Sequence, residues 1–229
     1  MSSPIKTNLQ PGSSAIVHKA PVRDLTAGEI AMLKLIFKSS LDYGRVKIHG
    51  ERFIPILQDV PMTPFGETYY IPEDYQPDYS STPLQRHVGH SEIYQKNTFI
   101  HEMVHVWQYQ HGMSVVARAI SVRACSCIEK CKDPYLYSLD KGSDLKDFGV
   151  EQQAQIIADY YSLKHLVNMP NIGNAIKANN LDVGKVVSGN TRGAGLDSVI
   201  REQGFYHKLI SRYEIVLRDF LAYPESYKW

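Results

Sequence analysis

Asn97-Thr98-Phe99-Ile100-His101-Glu102-Met103-Val104-His105-Val106-Trp107-Gln108-Tyr109-Gln110-His111-Gly112 is the stretch from which the rest of this 229-residue chain is read. It carries His-Glu-x-x-His in an apolar setting, and the recurrence of Phe99, Ile100, Met103, Val104 and Trp107 predicts a helix from Ile93 to His111. Asn97 or Thr98 would cap a shorter version, and Gly112 suits its end. On a helix His101 and His105 leave the axis about 40° apart, so one ion reaches both imidazoles. Glu102 lies beside them, placed to act on a water without binding the ion, as the base of a zinc hydrolase does.

A catalytic zinc takes three protein ligands and keeps a further position open, so two histidines are not enough. His111 follows His105 by six residues, where the metzincin pattern has its third histidine, but that pattern needs a glycine three residues after the second histidine. This chain has Gln108 there, and a continued helix turns His111 about 120° away from His105. Glu151 is the better candidate. It opens a strongly helical segment, Val150 to Leu166 or Val167, that stops before Pro170, and a carboxylate from a separate helix gives the His-His-Glu set of the gluzincins. Gln155 and Asp159 follow Glu151 at intervals of four and are expected to orient the ligands through hydrogen bonds to imidazole N–H groups.

The rest of the chain fits one domain. Its 43% hydrophobic content is enough for a single substantial core. Lys plus Arg (25) nearly cancels Asp plus Glu (24), which gives no nucleic-acid or membrane-surface footprint, and no apolar run approaches the length of a membrane span. Residues 1–22 are poor in apolar groups and read as a flexible arm without a general secretory signal, ahead of a domain over 23–229. Thr26-Ala27-Gly28-Glu29 is a capping box that opens a helix to about Ser39. Arg45–His49 alternates as a strand does, Gly50–Phe65 holds three prolines, and Gly66–Ile71 is a second strand, expected at a sheet edge where a peptide could pair. Residues 114–131 predict a helix running into Cys125, Cys127 and Cys131. These are expected to be structural, with a redox role or a second metal site as the alternatives. His87 and His90 read as surface histidines rather than a ligand pair. Residues 171–195 are rich in Asn and Gly, and a final helix runs from about Phe205 to Leu221. Tyr206 and His207, at its start, are the candidates for stabilising an oxyanion.

His101-Glu102-Met103-Val104-His105-Val106-Trp107-Gln108, followed after a spacer by Glu151-Gln152-Gln153-Ala154, resembles the zinc metallopeptidase toxin domains at the C-terminal ends of bacterial Vgr and Rhs proteins of type VI secretion. Leu25–Glu29, Asp42–Val46 and the Gly66–Ile71 strand are similar to the opening of such domains, so the resemblance covers about residues 23–167. It implies an α+β, mainly helical, zincin-like fold with a small antiparallel sheet and an active-site helix. It further implies one Zn2+, peptide-bond hydrolysis with Glu102 as base, and a peptide or protein substrate. The implied setting is a bacterial effector, cytoplasmic until it is secreted into a target cell's periplasm or cytoplasm. A type VI spike or tube component and a cognate immunity protein are the implied partners. No spike or shell segment is recognised in this chain, and the cysteine cluster is outside the pattern. The competing class is a non-catalytic, metal-stabilised interaction module of zincin-like fold. An intact Glu102 argues against it, because a closed structural site needs no base.

Overall fold

The computed structural model describes residues 21–55, 58–81, 92–113, 134–141, 143–166 and 203–228. The fold they form is mixed α and β, mainly helical, with one three-stranded sheet. Strands β1 (Val22–Arg23), β2 (Ile48–His49) and β3 (Thr68–Tyr69) lie in that order. The helices are α1 (Ala27–Phe37), α2 (Glu92–Gln110), α3 (Val150–Tyr161), α4 (Gln203–Val216) and α5 (Arg218–Ala222). A short π-helical turn, Ser162–Leu166, extends α3. The cysteine cluster, His87, His90, the helix expected over 114–131, the Asn- and Gly-rich segment and residues 1–20 of the arm lie outside the described residues. The start of β1 reaches back into the expected arm by one residue.

The expected capping box is present. The Glu29 N–H donates to Thr26 Oγ1 (3.1 Å), and the Thr26 N–H donates to the Glu29 carboxylate (2.8 Å). That carboxylate is fully buried and does more than cap. Arg23 grips it through two N–H donors at 2.7 Å each, and the Tyr79 N–H donates to it at 2.8 Å. One anion therefore ties β1, the start of α1 and the 70s loop together, an arrangement that holds only because every lone pair finds a donor.

The sheet departs from expectation in sense and length. β1 and β2 are antiparallel, but β2 and β3 are parallel, so the sheet is mixed rather than antiparallel. Parallel neighbours need a long crossover instead of a hairpin, and the proline-rich segment 50–67 supplies it. Tyr43–Arg45 forms a 3₁₀ turn, which shortens the expected strand at 45–49 to its last two residues. The outer edge of β3 is also occupied. Tyr69 gives its N–H to the Met62 carbonyl (2.8 Å) and takes the Met62 N–H on its own (3.0 Å), so a peptide cannot pair there.

α2 is the central element. Phe99, Ile100, Met103, Val104, Val106 and Trp107 are all fully buried although they cover more than one face, which is the signature of a helix walled on all sides. Trp107 packs edge-on against Phe220 of α5 at 5.0 Å and lies 6.3 Å from Phe37 of α1, joining both ends of the chain to the centre. α2 ends in a Schellman motif. The Met113 N–H reaches the Gln108 carbonyl (2.9 Å), the Gly112 N–H reaches Tyr109 (3.0 Å), and Gly112 sits at φ +84°, where a side chain would be strained. α2 begins at Glu92, so Asn97 is inside the helix and does not cap it.

Candidate metal centre

α2 and α3 run antiparallel. Asn97 faces Asp159 and Ser162, His105 faces Glu151, and Gln108 faces Val150 and Gln153. This seating sets the start of α3 against the middle of α2. Gln152 holds that start in place by accepting the Gly149 N–H (3.0 Å) and donating to the Leu136 carbonyl (2.6 Å). Glu151 then stands in the first turn, where the helix dipole favours an anion.

The three side chains read from the sequence as ligands converge. Glu151 Oε2 is 3.1 Å from His105 Nε2 and 3.3 Å from His101 Nε2, and the two Nε2 atoms are 3.2 Å apart. Zinc bonds of about 2.0–2.1 Å at tetrahedral angles place ligand atoms about 3.3 Å from one another. The triangle of N, N and O is therefore the right size for one such ion, and His101, His105 and Glu151 form a group that can hold a metal. The side chains are 9%, 6% and 11% exposed, so the group is buried but not sealed from solvent.

The protonation of the cluster follows from this crowding. Burial works against a charge on His105, but the Glu151 carboxylate, the Glu102 charge and the Gln108 hydrogen bond outweigh it and raise its pKa to about 9. Burial likewise works against Glu151, and the two imidazoles outweigh it and hold its carboxyl well below the ordinary carboxylate range. Without a metal the group is an imidazolium–carboxylate pair, and a cation at the same place would replace the proton.

Gln108 is a positioning group that sequence reasoning passed over. Its Oε1 accepts from His105 Nδ1 at 2.7 Å, which holds that proton on Nδ1 and makes Nε2 the nitrogen that would give up its proton to a metal, while its Nε2 donates to the Val150 carbonyl and Gln153 Oε1. The signal was present, since an amide three residues after a ligand histidine on one helix face is within reach of its ring.

Gln155 and Asp159 lie behind the cluster but reach neither imidazole. His101 Nδ1 is buried without a hydrogen-bond partner. Asp159 instead accepts from Asn97 Nδ2 (3.1 Å), Gln155 Nε2 (2.7 Å) and the Tyr137 hydroxyl (2.6 Å), which in turn meets the Tyr213 hydroxyl of α4 (2.6 Å). Burial is the main reason that Asp159 is raised to about 6, even against those three donors. The His101 ring lies 5.8 Å from Tyr135 and edge-on to His105.

Glu102 is buried beside the group and outside it. Its Oε2 accepts from the Thr63 hydroxyl at 2.7 Å. His111 Nδ1 bonds the Trp107 carbonyl (2.8 Å) at the helix end and is not in the metal group. His207 is exposed on α4, and the Tyr206 side chain lies outside the described residues.

Two antiparallel helices thus bring together a His-His-Glu group that could hold a metal ion, with the Glu102 carboxylate beside it. No family model matches the chain. The chain is 37% identical over 145 residues to the type VI secretion system spike protein VgrG2b of Pseudomonas aeruginosa, a match that covers 62% of this chain and 13% of that protein. The solved effector domain of the same VgrG2b superposes with a TM-score of 0.52 at 31% identity, over 72% of this chain and 83% of that one. The chain belongs to the family of the VgrG2b effector domain.

Proposed function

We propose that the chain is a zinc-dependent metallopeptidase of the gluzincin type, acting as a type VI secretion effector. The observation that carries the reading is the triangle of His101, His105 and Glu151 with sides of 3.1–3.3 Å, which matches one tetrahedral zinc, beside a Glu102 that stays out of the ligand set. Zinc at that place supplies Lewis acidity, which polarises a scissile carbonyl and makes water acidic near neutral pH. The residues supply the rest. Gln108 fixes the tautomer and the plane of His105. Glu102 takes the proton from the attacking water and hands it to the leaving amine, one carboxylate serving as base and then as acid. The substrate class is a peptide or protein.

The role as an effector rests on the family. VgrG2b is a spike protein, and this chain spans 13% of its length. In this reading the chain rides on a spike or tube component into a target cell, and a cognate immunity protein covers the cleft in the producing cell. No helix among the described residues is long and apolar enough to cross a membrane.

The test joins metal analysis to growth of a bacterial host that expresses the chain. Glu102→Gln retains one zinc per chain and abolishes toxicity, Glu151→Ala loses zinc, and His111→Ala keeps both. Undiminished toxicity of Glu102→Gln sinks the hydrolase reading. Full zinc in Glu151→Ala with loss in His111→Ala sinks the ligand assignment.

A further inference from the structure

We propose that Thr63 is a positioning residue for Glu102, holding one carboxylate oxygen through its hydroxyl so that the other faces the reacting water. This rests on the hydrolase reading above. Thr63 stands 39 positions before Glu102, in the proline-rich crossover, and its side chain is buried. Its Oγ1 is 2.7 Å from Glu102 Oε2 and 3.2 Å from Oγ1 of Thr68, which is fully buried on β3. A hydroxyl has one proton to give, and a charged acceptor at 2.7 Å is the stronger claimant for it. The Thr68 oxygen at 3.2 Å and the Glu102 carbonyl at 3.4 Å are the longer, uncharged alternatives for the same proton.

The support for this hydroxyl is rigid. Met62, the residue before Thr63, exchanges two main-chain hydrogen bonds with Tyr69, at 3.0 and 2.8 Å. Thr68 and Tyr70 are bonded through their N–H groups to Lys47 and His49 of the β2 segment. Thr63 is thus mounted on the sheet, while Glu102 is mounted on α2. A glutamate side chain has several rotatable bonds, and among the described residues Thr63 is its hydrogen-bond partner, through Oε2 alone. The hydroxyl selects one orientation of the carboxylate and leaves Oε1 unengaged. A base displaced by about 1 Å loses on the order of 100-fold in rate, so the bond is of direct value to the reaction.

A purely structural role makes a different prediction. A buried carboxylate needs a donor whatever its function, and loss of that donor then lowers stability or metal affinity. Acetohydroxamic acid separates the two roles without a known substrate, because it chelates the metal and gives its hydroxyl proton to a correctly placed carboxylate. The full chain and its Thr63→Ser, Thr63→Val, Thr63→Ala and Glu102→Gln variants are loaded with cobalt(II) and titrated with acetohydroxamate by the visible absorption band. Zinc affinity is measured by chelator competition and stability by thermal melting.

The expected result is that Thr63→Ser binds acetohydroxamate within about threefold of wild type. Thr63→Val and Thr63→Ala bind it at least about tenfold more weakly, the loss of one hydrogen bond to a charged group. Both stay folded at the temperature of the titration and keep the zinc affinity of wild type, and a modest fall in melting point accompanies the lost donor. Should Thr63→Val not fold, Thr63→Ala is read in its place. Wild-type acetohydroxamate affinity in the variants lacking the hydroxyl overturns the proposal. So does loss of zinc or of the fold in both, which marks the bond as structural. If wild type takes up no metal, or Glu102→Gln binds acetohydroxamate as wild type does, the hydrolase reading itself has failed. A normal loss in Glu102→Gln beside an unaltered Thr63→Val removes only the role of Thr63.

Discussion

Gln108 offers the sharpest separation between holding the metal and holding the fold. It is fully buried and makes three hydrogen bonds, one accepted from His105 and two donated across to α3. In Gln108→Ala the His105 ring loses the group that fixes its tautomer. Such partners are typically worth 10- to 100-fold in metal affinity, or about 1.4–2.7 kcal/mol. The same variant strands Gln153 Oε1 inside the α2–α3 interface, at about 1–3 kcal/mol for a buried group left unpaired, and takes a second donor from the Val150 carbonyl, which keeps its helical partner. Gln108→Glu keeps an acceptor for His105 Nδ1 but has no donor for α3, and sets a negative charge against two oxygens. Zinc affinity, read by competition with a chromogenic chelator, therefore falls by about 10- to 100-fold in Gln108→Ala and is held in Gln108→Glu. The melting point of the metal-free protein falls in both. Zinc affinity of Gln108→Ala within about threefold of wild type refutes the reasoning, because the His105 plane would then be fixed by packing alone.

Glu29→Ala leaves Arg23 buried without its anion and two N–H groups without an acceptor, and a urea melt should register a loss of about 3–5 kcal/mol; a loss below about 1 kcal/mol contradicts the role given to this carboxylate. In the metal-free protein His105 holds its proton to about pH 9 against an ordinary value of 6.5, so the folded state binds more protons between those limits. Its stabilising effect is complete below pH 6.5 and is lost as pH rises through 9, whereas the depressed Glu151 contributes stability above about pH 4.5 that is lost on further acidification. Zinc loading should remove the slope between pH 6.5 and 9 and release protons there, which calorimetry in buffers of different ionisation enthalpy reads directly; a buffer-independent enthalpy speaks against a shared site. Gly66 lies at φ +79°, and a Cβ there would come within 2.3 Å of the Tyr109 ring, so Gly66→Ala should lower the melting point and Gly66→Asn should not rescue it.

What could be read from the sequence was what local spacing dictates. The Thr26–Glu29 cap, the extent of α2, the Gly112 terminus and Glu151 at the start of α3 all depend on residues within a few positions of one another. The buried intervals of α4 and α5, from Leu209 through Tyr213 to Phe220, were legible for the same reason. Tertiary partners were not. Asn97 has the composition of a cap, yet its partners Asp159 and Ser162 lie on another helix, and an amide inside an apolar run was the available sign of a cross-helix bond. Asp159 was expected to serve an imidazole, but the amides of Asn97 and Gln155 and the Tyr137 hydroxyl take up its oxygens. The parallel pairing of β2 with β3 and the closing of β3 by Met62 depend on how a long irregular crossover folds back, which alternation cannot encode. Thr63 sits in that crossover, where nothing nearby marks it.

The antiparallel seating of α2 and α3 has a consequence for when the ion can be held at all. His105 and Glu151 are 46 positions apart and meet only after the two helices have docked, so an extended chain possesses half-sites and no site. An ion gripped by all three ligands works as a latch on that docking: at free zinc one hundred times Kd, the docked form gains about 2.7 kcal/mol over the undocked one. Undocking the two helices would likewise release the ion, so binding and closure would be lost together. The free concentration of the ion would then set how firmly α2 and α3 close on one another.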